Sequence, residues 1–163
     1  MKEKTYHTRC GKIHYWASVS NPDARTLVFL PGLTADHRLF DKQIQYFENR
    51  YNVIVWDAPA HAFSWPFRFD FDLFDKAKWL DDILNQEGIT KPVIVGQSMG
   101  GYVGQAYAQL YPDKMTGFVT PSWFKISFSH FALSNKSKSN RNGHEEAWAG
   151  ASQTITLYLL SKY

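Results

Sequence analysis

The residues best able to do chemistry stand together at Gly96-Gln97-Ser98-Met99-Gly100. A serine between glycines at this spacing fits a nucleophile elbow, a tight strand-to-helix turn that presents the hydroxyl. Small residues are required around it because the turn strains the backbone and passes close to its neighbours. The five-residue pattern is common, so its flanks carry the weight. The run Lys91-Pro-Val-Ile-Val95 before it ends apolar and β-branched, and Val103, Ala106, Tyr107 and Leu110 after it share one helical face, with Gly101 and Gly104 permitting close packing. The chemistry implied is attack of a hydroxyl oxygen on a carbonyl carbon. Negative charge then builds on the carbonyl oxygen, and two backbone N–H groups are needed to hold it. Met99 supplies one, and Leu33, in the turn Leu30-Pro31-Gly32-Leu33, is placed to supply the other. Without the elbow, Pro31-Gly32 would read as an ordinary strand-to-helix turn.

These residues need a scaffold, and short apolar runs alternating with longer amphipathic stretches predict one: an α/β fold with a mostly parallel sheet and flanking helices. Strands are expected at 26–30, 52–56, 91–95 and, beginning a fourth, 117–120. Between them Phe40, Ile44 and Phe47 take helical spacing, as do Leu73, Ala77, Leu80 and Leu84 before Gly88. Residues 5–19 read as an antiparallel pair around Gly11. The character changes near residue 120. Residues 1–119 hold 13 basic and 13 acidic side chains, whereas 120–163 hold 5 basic and 2 acidic, with 8 of the 12 serines and none of the 10 aspartates. The chain therefore divides into a core, 1–119, and a divergent Ser/Lys/Asn-rich tail, 120–163. In that tail 135–142 read as a solvated linker, and Trp148, Ala151, Ile155 and Leu159 fall on one face of a final helix, although Thr154-Ile155-Thr156 lowers its propensity.

Residues 26–119 resemble the N-terminal half of an α/β-hydrolase of the small esterase and peptidase type. LVFLPGL resembles that family's third strand and oxyanion turn, VIVWDAPAHAFS the segment after its fourth strand, and VIVGQSMGG its fifth strand and elbow. In the middle segment Ala60 and Ala62 stand where the family commonly has glycine. The resemblance makes His61 a structural residue and Asp113 a helix-end residue. It implies an incomplete α/β-hydrolase fold with Ser98 as nucleophile, Leu33 and Met99 at the oxyanion hole, and a small ester or amide as substrate by acyl transfer. The family's acid and histidine come after later strands. Beyond residue 120 only Glu145, Glu146, His130 and His144 are available. In Gly143-His144-Glu145, His144 is the tentative base, weighed against a solvated tail histidine; His130 ranks below it. With no base a serine hydroxyl is a weak nucleophile, so impaired hydrolysis is expected. The alternative is a non-catalytic binding protein that keeps the elbow as structure and uses its aromatic segment or basic tail.

Composition excludes several other classes. A net charge of +3 is too small to argue for nucleic acid or an anionic membrane. No window approaches a membrane span and no apolar leader stands at the start. The lone Cys10 excludes an intrachain disulfide and supplies no metal-ligand spacing, which together imply a cytoplasmic protein. No dinucleotide or phosphate-loop motif occurs, so no cofactor and no metal are implied. The aromatic run 63–74 reads as an acyl-pocket wall, core, or an exposed patch. At 163 residues the chain is shorter than a full sheet of this kind needs, roughly 200–250. A frameshift, aberrant splice or deletion near Thr120 would account for this, and a homodimer through the exposed edge of the sixth strand is expected.

Overall fold

The computed structural model describes residues 1–121 and 155–159. Seven strands form one sheet: β1 (Lys2–His7), β2 (Lys12–Ser18), β3 (Thr26–Leu30), β4 (Asn52–Trp56), β5 (Val93–Gly96), β6 (Gly117–Pro121) and β7 (Ile155–Leu159). Their order is β1-β2-β4-β3-β5-β6-β7. Strands β3 to β6 are mutually parallel, and β1, β2 and β7 are joined by antiparallel pairs. Three α-helices flank the sheet, α1 (Asp41–Phe47), α2 (Leu73–Gln86) and α3 (Met99–Leu110). The expected α/β architecture is therefore present, with strands 26–30 and 52–56 at the expected bounds.

Alternation along each strand divides the apolar residues between two faces. Val28, Leu30, Ile54, Trp56, Ile94 and Phe118 join Ala77, Leu80, Ile83, Leu84 and Val103 from α2 and α3 in the main core. Phe29, Val53 and Val55 meet Phe40 and Ile44 on the opposite face. The latter layer is thinner: Val93, Val95 and Val119 there are only half-buried.

Helix α2 starts where its sequence says it should. Asp72 accepts from the Asp75 N–H, and the Asp75 carboxylate accepts from the Asp72 N–H, a reciprocal cap that satisfies two otherwise unpaired donors. Gly88, at φ +70°, closes it as expected. Asp81, buried on the same helix, is fully engaged by Tyr107 Oη at 3.0 Å, Lys114 Nζ at 2.7 Å and Asn85 Nδ2 at 3.1 Å, which fastens α2 to α3.

Two expectations change here. Residues 155–159 form a strand, not part of a helix; the β-branched Thr154-Ile155-Thr156 run that weakens a helix suits an extended chain. The sheet also continues past β6, whose edge is paired with β7 over Gly117–Pro121. Among the described residues the open edges are then β1 and β7. Strand β1 carries Lys2, Glu3 and Lys4, and charge on an edge strand opposes pairing between copies. The linker at 135–142 and residues 145–154 of the expected helix lie outside the described residues.

Candidate active site

In this sheet the chain goes from β3 to β4 on one side and then to β5 on the other, so the winding direction reverses at β3. The carboxyl ends of β3 and β5 flank that reversal, the place where open α/β sheets leave a crevice for ligands. Ser98 follows β5 by two residues and the Pro31-Gly32-Leu33 turn follows β3 directly. The topology brings Ser98, Met99 and Leu33 to one end of the sheet.

Ser98 has φ +52° and ψ −116°, a conformation that L-residues avoid, and it is exposed. Strain there is held by neighbours that leave no room for relaxation. The Gln97 N–H donates to the Leu30 carbonyl at 2.9 Å, tying the elbow to the end of β3. A Cβ on Gly96 would lie 2.4 Å from the Gly100 carbonyl oxygen, and one on Gly100 would lie 2.0 Å from that of Leu30. A Cβ on Gly32 would meet the Gln97 side chain and come within 3.2 Å of Ser98 Cβ. The β3 turn and the elbow thus touch through glycine backbone. Gly101 and Gly104 bring α3 down on Thr120 and Phe118 in the same way.

Met99 is the first residue of α3, so its N–H has no carbonyl four residues back within the helix. Leu33 is 60% exposed and sits in the open turn. Neither N–H donates a hydrogen bond among the described residues. Met99 adjoins the exposed Ser98 and Leu33 stands in the turn that meets the elbow through Gly32, so both N–H groups are open at that end of the sheet.

His37 and His61 do other work. His61 Nδ1 lies 3.0 Å from the Pro59 carbonyl, in keeping with a structural role. His37 pairs with Asp57, a contact that sequence reading missed because the two are 20 residues apart. Asp57, fully buried at the end of β4, accepts from the His37 N–H at 2.9 Å and from the Phe63 N–H at 3.0 Å, and its Oδ1 lies 2.9 Å from His37 Nδ1. The His37 ring stacks on Trp16, with centroids 3.7 Å apart. This cluster locks the loop after β3 to the loop after β4. A groove of about 380 Å³ lined by Trp16, His37, Ile44 and Val55 opens on the α1 side, with no elbow residue in its walls. His130, His144, Glu145 and Glu146 lie outside the described residues. Asp113 stands in the turn after α3, as a helix-end residue.

Ala60 and Ala62 sit at φ +70° and +43°. The departure from glycine visible in the sequence therefore falls on two left-handed positions, where a Cβ costs about 1–2 kcal/mol per residue. Part of that is returned by the smaller unfolded-chain entropy of alanine. Ala60→Gly and Ala62→Gly should each raise stability by about 0.5–1 kcal/mol in urea denaturation; a loss in both would show that the turn does not strain them.

The aromatic run divides. Phe67 is buried and stacks edge-on with Trp79, and Phe71 lies beside both. Phe63, Trp65, Phe69 and Phe74 are exposed. Among the described residues no group of three or more His, Cys, Asp or Glu is placed to hold a metal ion, and no helix is long and apolar enough to cross a membrane. Cys10 is buried, its thiol 3.3 Å from the Asp70 carbonyl.

Known proteins share this fold. The family model described as alpha/beta hydrolase fold matches residues 25–146. The chain is 26% identical over 144 residues to 3-oxoadipate enol-lactonase 2 of Acinetobacter baylyi, covering 86% of this chain and 47% of that protein. It is 23% identical over 146 residues to proline iminopeptidase of Neisseria gonorrhoeae, covering 87% and 47%. Among solved structures, naproxen esterase from Bacillus subtilis superimposes with a TM-score of 0.64 at 26% identity, over 72% of this chain and 41% of that one. The chain spans about half the length of these curated relatives.

Proposed function

Because the chain belongs to the alpha/beta hydrolase fold family, we propose that it is a serine hydrolase of small esters or amides, with Ser98 as nucleophile. Ser98 Oγ attacks the carbonyl carbon, its proton passes to a base, and the tetrahedral oxyanion is held by the N–H groups of Met99 and Leu33. Collapse expels the alcohol or amine and leaves an acyl-enzyme that water hydrolyses. No cofactor or metal enters these steps. The observation that carries the reading is the left-handed, exposed Ser98 wedged between Gly96 and Gly100 and tied to the β3 turn. Strain at a hydroxyl residue is maintained only where the surroundings over-determine it, and such positions concentrate at functional sites.

His37 and His61 are engaged elsewhere. His144 is the candidate we propose, on its Gly-His-Glu sequence. Without a base, turnover falls roughly 10⁶-fold below that of a complete triad, leaving the roughly 10³–10⁴-fold acceleration over water that the oxyanion donors and binding supply. The test is a fluorophosphonate probe, which reacts covalently with activated serines. Wild-type chain should label and Ser98→Ala should not; no labelling of folded wild type overturns the proposal. A slower labelling rate in His144→Ala would give that residue the base role.

A second reading is favoured by one observation. Phe63, Trp65 and Phe69 are 60%, 59% and 73% exposed, a cluster of large apolar side chains of the kind that marks interaction surfaces. A non-catalytic protein binding a partner through this segment would keep the elbow as structure and fail to label.

A further inference from the structure

The side chain of Lys76, on α2, is set among apolar groups and faces no acid among the described residues. Lys76 is only 7% exposed. Its Nζ lies 3.3 Å from the thioether sulfur of Met99 and 5.3 Å from the centre of the Phe71 ring. A thioether is a weak acceptor and an aromatic face a partial one, so an ammonium in this position lacks the counter-charge that burial demands. Burial accordingly pushes the Lys76 ammonium below its ordinary range. The other buried ionisable group of α2 shows the contrast: Asp81 has three donors within 3.1 Å. Retaining a lysine where methionine or leucine would pack needs a reason.

Its position supplies one. Met99 is the residue after Ser98, and its N–H is one of the two free donors at the elbow. The ammonium therefore rests against the side chain of the residue whose backbone would hold the oxyanion. On the same face of the sheet, the buried Nε1 of Trp56 also has no acceptor among the described residues. The Lys76 ammonium has only the weak Met99 sulfur as acceptor and the Trp56 Nε1 has none, and no carboxylate among the described residues pairs with either.

We infer that Lys76, against the side chain of the residue that follows Ser98, is the recognition point for a carboxylate carried by the substrate. This rests on the reading of Ser98 as the reacting residue. A single ammonium offers one positive charge and up to three N–H donors, which matches a monoanion. A phosphate dianion would leave a net negative charge between Met99 and Phe71, an arrangement the apolar walls disfavour. The preferred substrate is then an ester or amide whose acyl part bears a second, free carboxylate. Lys76 binds and orients it and takes no part in bond making.

Binding can be measured apart from chemistry. In the full chain carrying Ser98→Ala, monomethyl glutarate, which has one free carboxylate, is titrated calorimetrically beside dimethyl glutarate, which has none. The half-ester should bind at least about tenfold more tightly, as a charge-assisted hydrogen bond allows. Adding Lys76→Met should erase that preference, and Lys76→Gln, which keeps a donor but not the charge, should do the same. No binding of the half-ester at millimolar concentration, or a preference that survives both substitutions, overturns the inference. Fluorophosphonate labelling of the wild type judges Ser98 separately, so failure of the anion site and failure of the nucleophile give different results.

Discussion

Gly100→Ala should destabilise the protein by about 3 kcal/mol and abolish Ser98 labelling in whatever fraction remains folded. The added Cβ would lie 2.0 Å from the Leu30 carbonyl oxygen and 2.5 Å from its carbon, and both partners are backbone. A flexible side chain could swing aside; a parallel strand paired on both sides by β4 and β5 cannot. The cost therefore sits at the upper end of the range for overpacking. The same carbonyl accepts the Gln97 N–H, so any shift that relieves the clash breaks the link that sets the elbow against the β3 turn. Two neighbours serve as controls. At Gly101 a Cβ meets the Thr120 hydroxyl at 2.7 Å, which rotation can relieve, and Gly101→Ala should cost less. Gly88 has open space around it but φ +70°, so Gly88→Ala should cost about 1 kcal/mol through backbone conformation alone. Urea denaturation ranks the three, and a Gly100→Ala protein as stable as Gly88→Ala would show the β3–α3 contact to be looser than described.

Asp57→Ala should cost about 3 kcal/mol as well, by a different route. One carboxylate with no solvent exposure satisfies the His37 and Phe63 backbone N–H groups and pairs with the His37 ring. Removing it leaves buried donors without acceptors, at about 1–3 kcal/mol each before water re-enters. Asp57→Asn should fall between, because its Oδ1 still serves His37 while its amide opposes the Phe63 N–H. His37 begins the segment that returns from the Leu33 turn, so the loss should also slow Ser98 labelling although Asp57 touches neither Ser98 nor Met99. A double-mutant cycle with His37→Ala measures the pair itself. Additive costs would mean that the His37 ring contributes nothing to the lock.

The comparison of sequence with structure divides along a physical line. Strands β3 and β4 were legible because buried parallel strands are apolar on both faces, and the elbow because its chemistry demands glycine at fixed offsets. Helix α2 was legible in outline, from Leu73, Ala77, Leu80 and Leu84. Lys76 was not, since a lysine beside an apolar stripe reads as solvent-facing until the packing of Met99 and Phe71 is known. The His37–Asp57 lock needed the two loops brought together by β3 and β4, which no local pattern encodes. Strand β7 was missed because 33 residues stand between it and its partner β6, and pairing at that separation leaves no periodic mark of its own.

That separation has a consequence for synthesis. Strand β6 ends at Pro121 and β7 is complete only at Leu159, about 38 residues later. At roughly 5–20 residues per second, the nascent chain spends about 2–8 s with β1 to β6 available and the outer edge of β6 unpaired. During that interval Phe118 and Val119 border a row of open backbone groups that another nascent chain could join. The hazard at this edge is thus concentrated in the time before β7 covers it, and slowing translation beyond codon 121 should lower the yield of soluble chain.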